Sequence, residues 1–487
     1  MNIKLIANYT GNILRIEALF MIPALLIALF SGEQSSVIGF AATIAVVLIL
    51  GSLFVLIKQK DDSFYAREGF ATVALSWILL SIFGCLPFFI SGTIPNFIDA
   101  LFETVSGFST TGGSILSDVE SLPKSMQYWR SFTHWIGGMG VLVLMLAVVP
   151  MRGRSGNNGN SYKMLRAETT GPIIGRLVPK VKRTAMILYS IYIALTVVEI
   201  IFLLAGGMPL FDSILNSFAT AGTGGFAIKN ASIGAYNSYY LQTVIAVFML
   251  IFGINFNIFY LLLIKDFKSI LKDGELKLYL GVVAASVIAI GLNTMSLYPT
   301  VYDAFHHSFF QVSSIITTTG FATVNFDAWP TFSKMILTLL MFVGACAGST
   351  GGGIKMARIL MMGKFFKGTI QRMIHPRGVK PVTVNGRNID DGVIREVMGY
   401  MSAYLIITVV SILIVAIDGF TYETTFSSVV ACLNNIGPGF GMVGPTGNFA
   451  DFSVLSKLVL MADMLIGRLE IFPILLLFTP SMWRRNK

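Results

Sequence analysis

Four short stretches of this sequence place small polar residues and glycine in surroundings that are otherwise apolar. They read Asn96 to Gly113 (NFIDALFETVSGFSTTGG), Pro209 to Gly225 (PLFDSILNSFATAGTGG), Val301 to Phe321 (VYDAFHHSFFQVSSIITTTGF) and Thr421 to Gly439 (TYETTFSSVVACLNNIGPG). Each opens with an aromatic residue and an acid, runs about three turns of half-apolar helix, and ends in small residues and glycine. With Gly112, Gly222, Gly320 and Gly437 in register, the copies recur roughly every hundred residues, an internal repeat. Glycine admits positive φ and removes side-chain bulk, so carbonyl oxygens can turn toward an axis. A short helix ending in such a loop also aims its C-terminal partial negative charge there. Four copies around one axis would form a carbonyl-lined constriction, which suits a dehydrated monovalent cation. Re-entrant packing elements or glycine-rich outer turns are the alternative reading of any single loop.

Such loops need a scaffold, and the composition supplies it. The chain has 487 residues, 54% hydrophobic and only 12% charged, against about 25% charged in a soluble domain. A helix needs about 20 apolar residues to span a bilayer, so the chain has room for about eight to twelve spans and none for a large soluble catalytic domain. Ten apolar runs are visible: Ala18 to Phe30, Val37 to Ile57, Thr72 to Ile90, Trp135 to Val149, Ala185 to Leu204, Thr243 to Ile264, Leu278 to Leu292, Met335 to Ala347, Val397 to Ile417 and Val454 to Phe478. The first could serve as a secretory signal but is read as a retained span, paired with the second in a hairpin.

The formal charge of +10 is an orientation signal. Lys and Arg concentrate in Lys58 to Arg67, Arg152 to Arg183, Lys265 to Lys277 and Lys355 to Arg395, which are therefore expected on the cytoplasmic side. The opposite connections carry acids and few bases. This distribution argues against a nucleic-acid partner and leaves membrane lipid as the surroundings. Cys85, Cys346 and Cys432 lie in or beside apolar runs and suggest neither disulfides nor a thiolate metal site. The expected architecture is an all-α membrane protein: a two-helix hairpin (1–66) followed by four repeats of span, short helix, glycine loop and span (67–160, 161–268, 269–375 and 376–487), with fourfold pseudo-symmetry.

The motifs Ser106 to Gly113 (SGFSTTGG), Trp135 to Gly140 (WIGGMG), Arg166 to Pro172 (RAETTGP), Thr317 to Phe321 (TTTGF), Gly348 to Lys355 (GSTGGGIK) and Leu433 to Gly439 (LNNIGPG) resemble the Trk/Ktr/HKT superfamily of potassium transporters, and most closely its bacterial TrkH/TrkG branch. The resemblance covers almost the whole chain, and the N-terminal hairpin favours that branch. It implies a potassium-binding filter of Thr110, Thr111 and Gly112; Thr220, Ala221 and Gly222; Thr318, Thr319 and Gly320; and Asn435, Ile436 and Gly437. Glycine at the key position of all four repeats goes with potassium preference in this superfamily. The resemblance further implies one pore per subunit, a homodimer, a bacterial inner (plasma) membrane location with both termini cytoplasmic, and control by a cytoplasmic nucleotide-binding TrkA-type subunit.

Below the filter, Gly344 to Gly353 (GACAGSTGGG) interrupts what should be one helix, and each interior glycine costs about 1 kcal/mol against alanine. A Walker A reading fails, because Ile354 precedes Lys355, no Ser or Thr follows the lysine, and no strand precedes the loop. The resemblance implies an intramembrane gate of Gly344, Gly348, Ser349, Thr350, Gly351, Gly352 and Gly353, with Arg468 beside the pore. A charge inside a span costs at least about 2.5 kcal/mol, so Arg468 needs a polar partner or cavity. Glu199, Asp463 and Glu470 are further in-span charges. No catalytic residue is expected: HExxH and GxSxG motifs are missing, and no cofactor is called for beyond potassium as the transported ion. Two transport mechanisms stay open, a channel-like pore driven by membrane potential and symport coupled to protons or sodium. Asp99, Glu103, Asp212, Asp303 and Glu423 could concentrate cations at the outer mouth or stabilise helix N-termini.

Overall fold

The computed structural model describes residues 2–57, 66–140, 181–375, 383–385 and 387–483. The expectations on most of Lys58 to Arg67, on most of Trp135 to Val149, on most of Arg152 to Arg183 with its RAETTGP motif, and on part of Lys355 to Arg395 lie outside these residues. Within them the long elements are all helices, and the strand pairing is one two-residue antiparallel ladder, Thr383 with Asn388 and Val384 with Arg387.

Ile3–Phe30 and Gln34–Leu56 form an antiparallel hairpin that packs on the first repeat. Its two helices approach closely where glycine faces glycine: a Cβ on Gly11 would lie 2.7 Å from the Gly51 carbonyl oxygen, and one on Gly51 would lie 2.9 Å from that of Gly11. Small residues let spans meet in this way, where lipid offers no hydrophobic drive. Each repeat then opens with a long helix: Ala66–Gly84, continued by Leu86–Ile90; Val181–Ala205; Gly274–Thr294; and Asp391–Val415. Each is followed by a short helix, Phe97–Phe108, Leu210–Gly222, Val301–Ile316 or Tyr422–Leu433.

The second spans depart from the expected picture. Among the described residues, six helices are long and apolar enough to cross a membrane, and seven if one bent pair counts as a single span. The run Thr243 to Ile264 is that pair, Tyr239–Phe252 and Phe256–Leu263, bent by 91°. Val454 to Phe478 divides into Val454–Arg468 and Phe472–Leu477, with Glu470 and Ile471 at φ of 57° and 67° between them. The third-repeat helix covers Thr331–Val343 before the Gly344 break, and Lys124–Gly138 ends just before Gly140 at φ 75°. Every second helix therefore stops at a comparable place in its repeat, although only the third had been expected to. At Gly137 and Gly138, at Gly253 and at Thr350 the freed carbonyls find partners in other repeats, the condition under which non-helical backbone is tolerated at membrane depth.

Candidate ion pathway

Each short helix ends in the same hydrogen-bonded turn. Thr110, Thr223, Thr318 and Asn435 adopt φ of 56°, 53°, 59° and 56°. Their amides donate to the carbonyls of Gly107, Thr220, Ile315 and Cys432 at 3.1, 2.9, 3.1 and 3.2 Å. The following amides, of Thr111, Gly224, Thr319 and Ile436, reach back to Ser106, Ala219, Ser314 and Ala431 at 2.9, 2.9, 2.8 and 2.9 Å. This pair of bonds is the Schellman C-cap, which normally places glycine at the left-handed position. Here three threonines and an asparagine occupy it, although left-handed backbone is rare for a β-branched residue and costs of order 1 to 3 kcal/mol.

These turns correct one expectation. Thr220, Ala221 and Gly222 lie inside the second short helix, with the Thr220 hydroxyl bonded to the Asn216 carbonyl at 2.9 Å. The residues in the position of Thr110, Thr111 and Gly112 are Thr223, Gly224 and Gly225. Gly222 instead serves packing, since a Cβ there would lie 2.2 Å from the His134 carbonyl oxygen. A sequence signal existed: Gly225-Phe226-Ala227 repeats as Gly320-Phe321-Ala322, and the choice of the earlier glycine in Ala-Gly-Thr-Gly-Gly shifted the register by three residues.

With that register, four glycines close a ring. Gly112, Gly225, Gly320 and Gly437 have φ of 80°, 76°, 84° and 93°. A Cβ on Gly112 would lie 2.0 Å from the Gly224 carbonyl oxygen, on Gly225 1.9 Å from that of Thr319, on Gly320 2.0 Å from that of Ile436, and on Gly437 2.6 Å from that of Thr111. The contacts run one to two, two to three, three to four and four back to one. Any side chain at these positions would strike a neighbouring repeat's carbonyl. Thr110, Thr111, Thr318, Thr319, Asn435 and Ile436 are all buried. The Asn435 amide bridges the fourth and first repeats by donating to Thr111 Oγ1 at 3.0 Å and to the Met464 carbonyl at 2.8 Å.

The Gly344 to Gly353 segment passes directly below this ring. The Gly352 amide donates to Thr318 Oγ1 at 2.6 Å. A Cβ on Gly351 would lie 2.9 Å from the Thr317 carbonyl oxygen, and one on Gly352 2.3 Å from that of Asn434. The segment also interlocks with the bend in the second repeat: Cys346 N donates to Gly253 O at 3.0 Å, and Phe256 N to Gly348 O at 3.1 Å. Ser349 is turned back on its own chain, its hydroxyl donating to the Cys346 carbonyl at 2.6 Å. Gly344 and Gly348 have φ of 68° and 69°, and Gly353 75°.

Two cations hold the segment. The Arg468 guanidinium is 6% exposed and donates to the Thr350 carbonyl at 2.7 Å, to Gly138 O at 2.7 Å and to Gly137 O. It thus staples the third-repeat segment to the end of the first repeat's second helix. Lys355, at φ 71°, donates its ammonium to the Gly351 carbonyl. Glu470, in the left-handed break after the helix that carries Arg468, pairs with Arg358.

The acids named at the outer mouth are engaged in structure. Asp99 pairs with Lys457 at 2.6 Å, Glu103 with Arg130 at 2.6 Å and Glu423 with Lys334 at 2.7 Å. Asp212 accepts from Tyr236 at 2.8 Å, and Asp303 from Tyr239 at 2.5 Å. Four of these acids also occupy first turns of the short helices, which favours the helix-stabilising reading. Asp463 accepts from Ser411 at 2.8 Å, and Glu199 is buried. His306 and His307 turn to Gln242 and Thr323, at 2.8 and 3.1 Å. Among the described residues no group of three His, Cys, Asp or Glu could hold a metal ion, and all three cysteines are free and buried.

Known proteins share this arrangement. The TrkH family, described as a cation transport protein, matches residues 33–485. The Trk system potassium uptake protein TrkH of Escherichia coli K12 is 37% identical, over 96% of this chain and 99% of that protein. TrkG of the same strain is 34% identical over 99% of each. The crystal structure of the potassium transporter TrkH from Vibrio parahaemolyticus superposes with a TM-score of 0.89 at 34% identity, covering 99% of this chain and all of that one. These relatives are transporters rather than enzymes, and the chain belongs to the TrkH family of multi-pass, all-α membrane cation transport proteins.

Proposed function

We propose that the chain takes up potassium through a channel-like pore whose filter is the ring of Thr110 to Gly112, Thr223 to Gly225, Thr318 to Gly320 and Asn435 to Gly437. The carrying observation is that ring: four left-handed glycines, each against the next repeat's carbonyl, present backbone oxygens where a dehydrated cation would need them. The segment Gly344 to Gly353 and Arg468 form the gate below, which a cytoplasmic nucleotide-binding subunit of the TrkA type opens. Basic loops face the cytoplasm of a bacterial inner membrane, both termini lie there, and two chains assemble as a homodimer. No coupled ion is required, because one charge moving inward through 100 mV releases about 2.3 kcal/mol, enough for nearly a fiftyfold gradient at about 1.4 kcal/mol per tenfold.

The test is rubidium against sodium flux in proteoliposomes, with and without the regulatory subunit. Rubidium should exceed sodium, and the subunit should change the rate without changing the ratio. Equal fluxes would sink the filter assignment. A reversal potential that moves with pH at fixed potassium would replace the pore with proton symport.

A further inference from the structure

A buried ion pair behind the ring has no counterpart in the other three repeats. Seven residues before the left-handed turn residue, the short helices carry Glu103, Asn216, Gln311 and Ser428, all buried. Only the first is charged. Its carboxylate accepts from Ile115 N at 3.0 Å and from Ser114 Oγ at 3.0 Å to each oxygen, which fixes the strand leaving the first filter turn. The analogous strands of repeats three and four are held by neutral groups. Gln311 Nε2 donates to Thr323 Oγ1 at 3.4 Å, and Ser427 Oγ accepts from Phe440 N at 2.9 Å. Thr323, Phe440 and Ile115 each stand five residues past their turn.

The partner of Glu103 extends the hold across a seam. Arg130 donates Nε to Glu103 at 2.6 Å and Nη1 to the Ala227 carbonyl at 2.9 Å, and its guanidinium lies 3.5 Å from the centroid of Phe226. One helical turn on, His134 Nδ1 is 2.7 Å from the Gly107 carbonyl, and Phe226 N donates to His134 Nε2 at 3.2 Å. Phe226 and Ala227 directly follow Gly225. The outgoing strands of filter turns one and two are thus tied to one buried pair of opposite charges. Charge-assisted bonds are shorter and stronger than neutral ones, and breaking such a pair leaves an uncompensated buried charge.

We infer that Glu103 and Arg130 are positioning residues for ion selection, which set the separation of the first and second filter turns. This rests on the filter reading above. Neither residue touches the ion; each acts through Ser114, Ile115 and Ala227.

Rubidium and sodium fluxes in proteoliposomes test it, with Glu103→Gln, Arg130→Lys and Ser114→Ala measured alongside the unaltered protein. Glu103→Gln should lower the rubidium-to-sodium ratio by about threefold or more, since it removes a charge-assisted acceptor and leaves Arg130 unpaired. Ser114→Ala keeps both charges, removes one donor from the carboxylate, and should lower the ratio by less. Arg130→Lys preserves charge without the second arm to Ala227, so it should lower the ratio while the protein still assembles. Should Glu103→Gln not assemble, the two milder variants carry the decision. Ratios unchanged in assembled protein, with only thermal stability reduced, would overturn the inference and leave the pair a structural element. Absence of discrimination in the unaltered protein would instead count against the filter itself, so the two failures are distinguishable.

Discussion

The ring of left-handed turns and the layer of broken helices packed against it are built by opposite rules. In the ring, four variants of one repeat, STTG, GTGG, TTTG and NNIG, fold to the same turn through the same two backbone bonds, with φ at the turn residue between 53° and 59°. In the layer below, the four breaks differ: one follows Gly138, one is a bend at Gly253 to Asn255, one is the segment Gly344 to Gly353, and one is the pair Glu470 and Ile471. Long-range contacts close most of them: Arg468 at the first and third, and the Cys346 and Phe256 amides at the second. A structure made of local backbone bonds repeats whenever its sequence rule repeats, and it resists change because every bond is short-range. A structure made of a few long-range contacts can be asymmetric, and a few lost bonds would release it.

The comparison can be broken at several points. Arg468→Ala should have the largest effect, a rise in basal rubidium flux of about tenfold or more, because a fixed charge about 4 Å from a passing ion costs about 4 kcal/mol at an effective dielectric constant near 20. Unchanged flux from assembled protein would remove Arg468 from the pathway.

Next comes the paired test of register. Gly225→Ser forces a Cβ to 1.9 Å from the Thr319 carbonyl oxygen and should cut the rubidium-to-sodium ratio several-fold. Gly222→Ser instead presses on His134 and should lower thermal stability with the ratio of surviving protein intact. The reverse pattern would restore the earlier register.

A smaller effect is expected where the two regions meet. Thr318→Val keeps the shape but removes the acceptor for Gly352 N, leaving a buried amide unsatisfied at about 1 to 3 kcal/mol. Basal flux should rise about two- to threefold with selectivity retained; a fall in selectivity with basal flux steady would show that this bond serves the ring and not the gate.

The smallest is Thr223→Gly. Removing the left-handed penalty should raise unfolding free energy by about 1 kcal/mol, read by denaturant titration in detergent. A destabilisation would mean that the threonine hydroxyl, which bonds its neighbour's carbonyl at 2.6 Å, is worth more than the backbone cost.

Legibility followed the range of the physics. The long first helix of each repeat, the hairpin, the four short helices and the Gly344 to Gly353 break are visible in the sequence, because each rests on composition or spacing within about twenty residues. The second turn sits three residues later than the spacing predicts, since three glycines compete in Ala-Gly-Thr-Gly-Gly and packing decides between them: Gly222 and Gly224 lie against His134, whereas Gly225 lies against Thr319. The breaks at Gly253 and Glu470 were missed because one glycine, or none, marks them. Their cause is hydrogen bonding to segments about a hundred residues away, such as Cys346 N to Gly253 O. The Glu103 and Arg130 pairing was equally hidden, as two charges in separate helices announce nothing about each other.

By itself the sequence determined that this is a membrane protein with a fourfold repeat and that small residues sit where the chain must turn inside it, since hydrophobicity and glycine act locally. Only the tertiary structure decided which glycines touch across repeats, where Arg468 reaches, and which carboxylates are paired. Those are contacts between residues far apart in the chain, and their free energies depend on distance and desolvation, which exist only once the helices have packed.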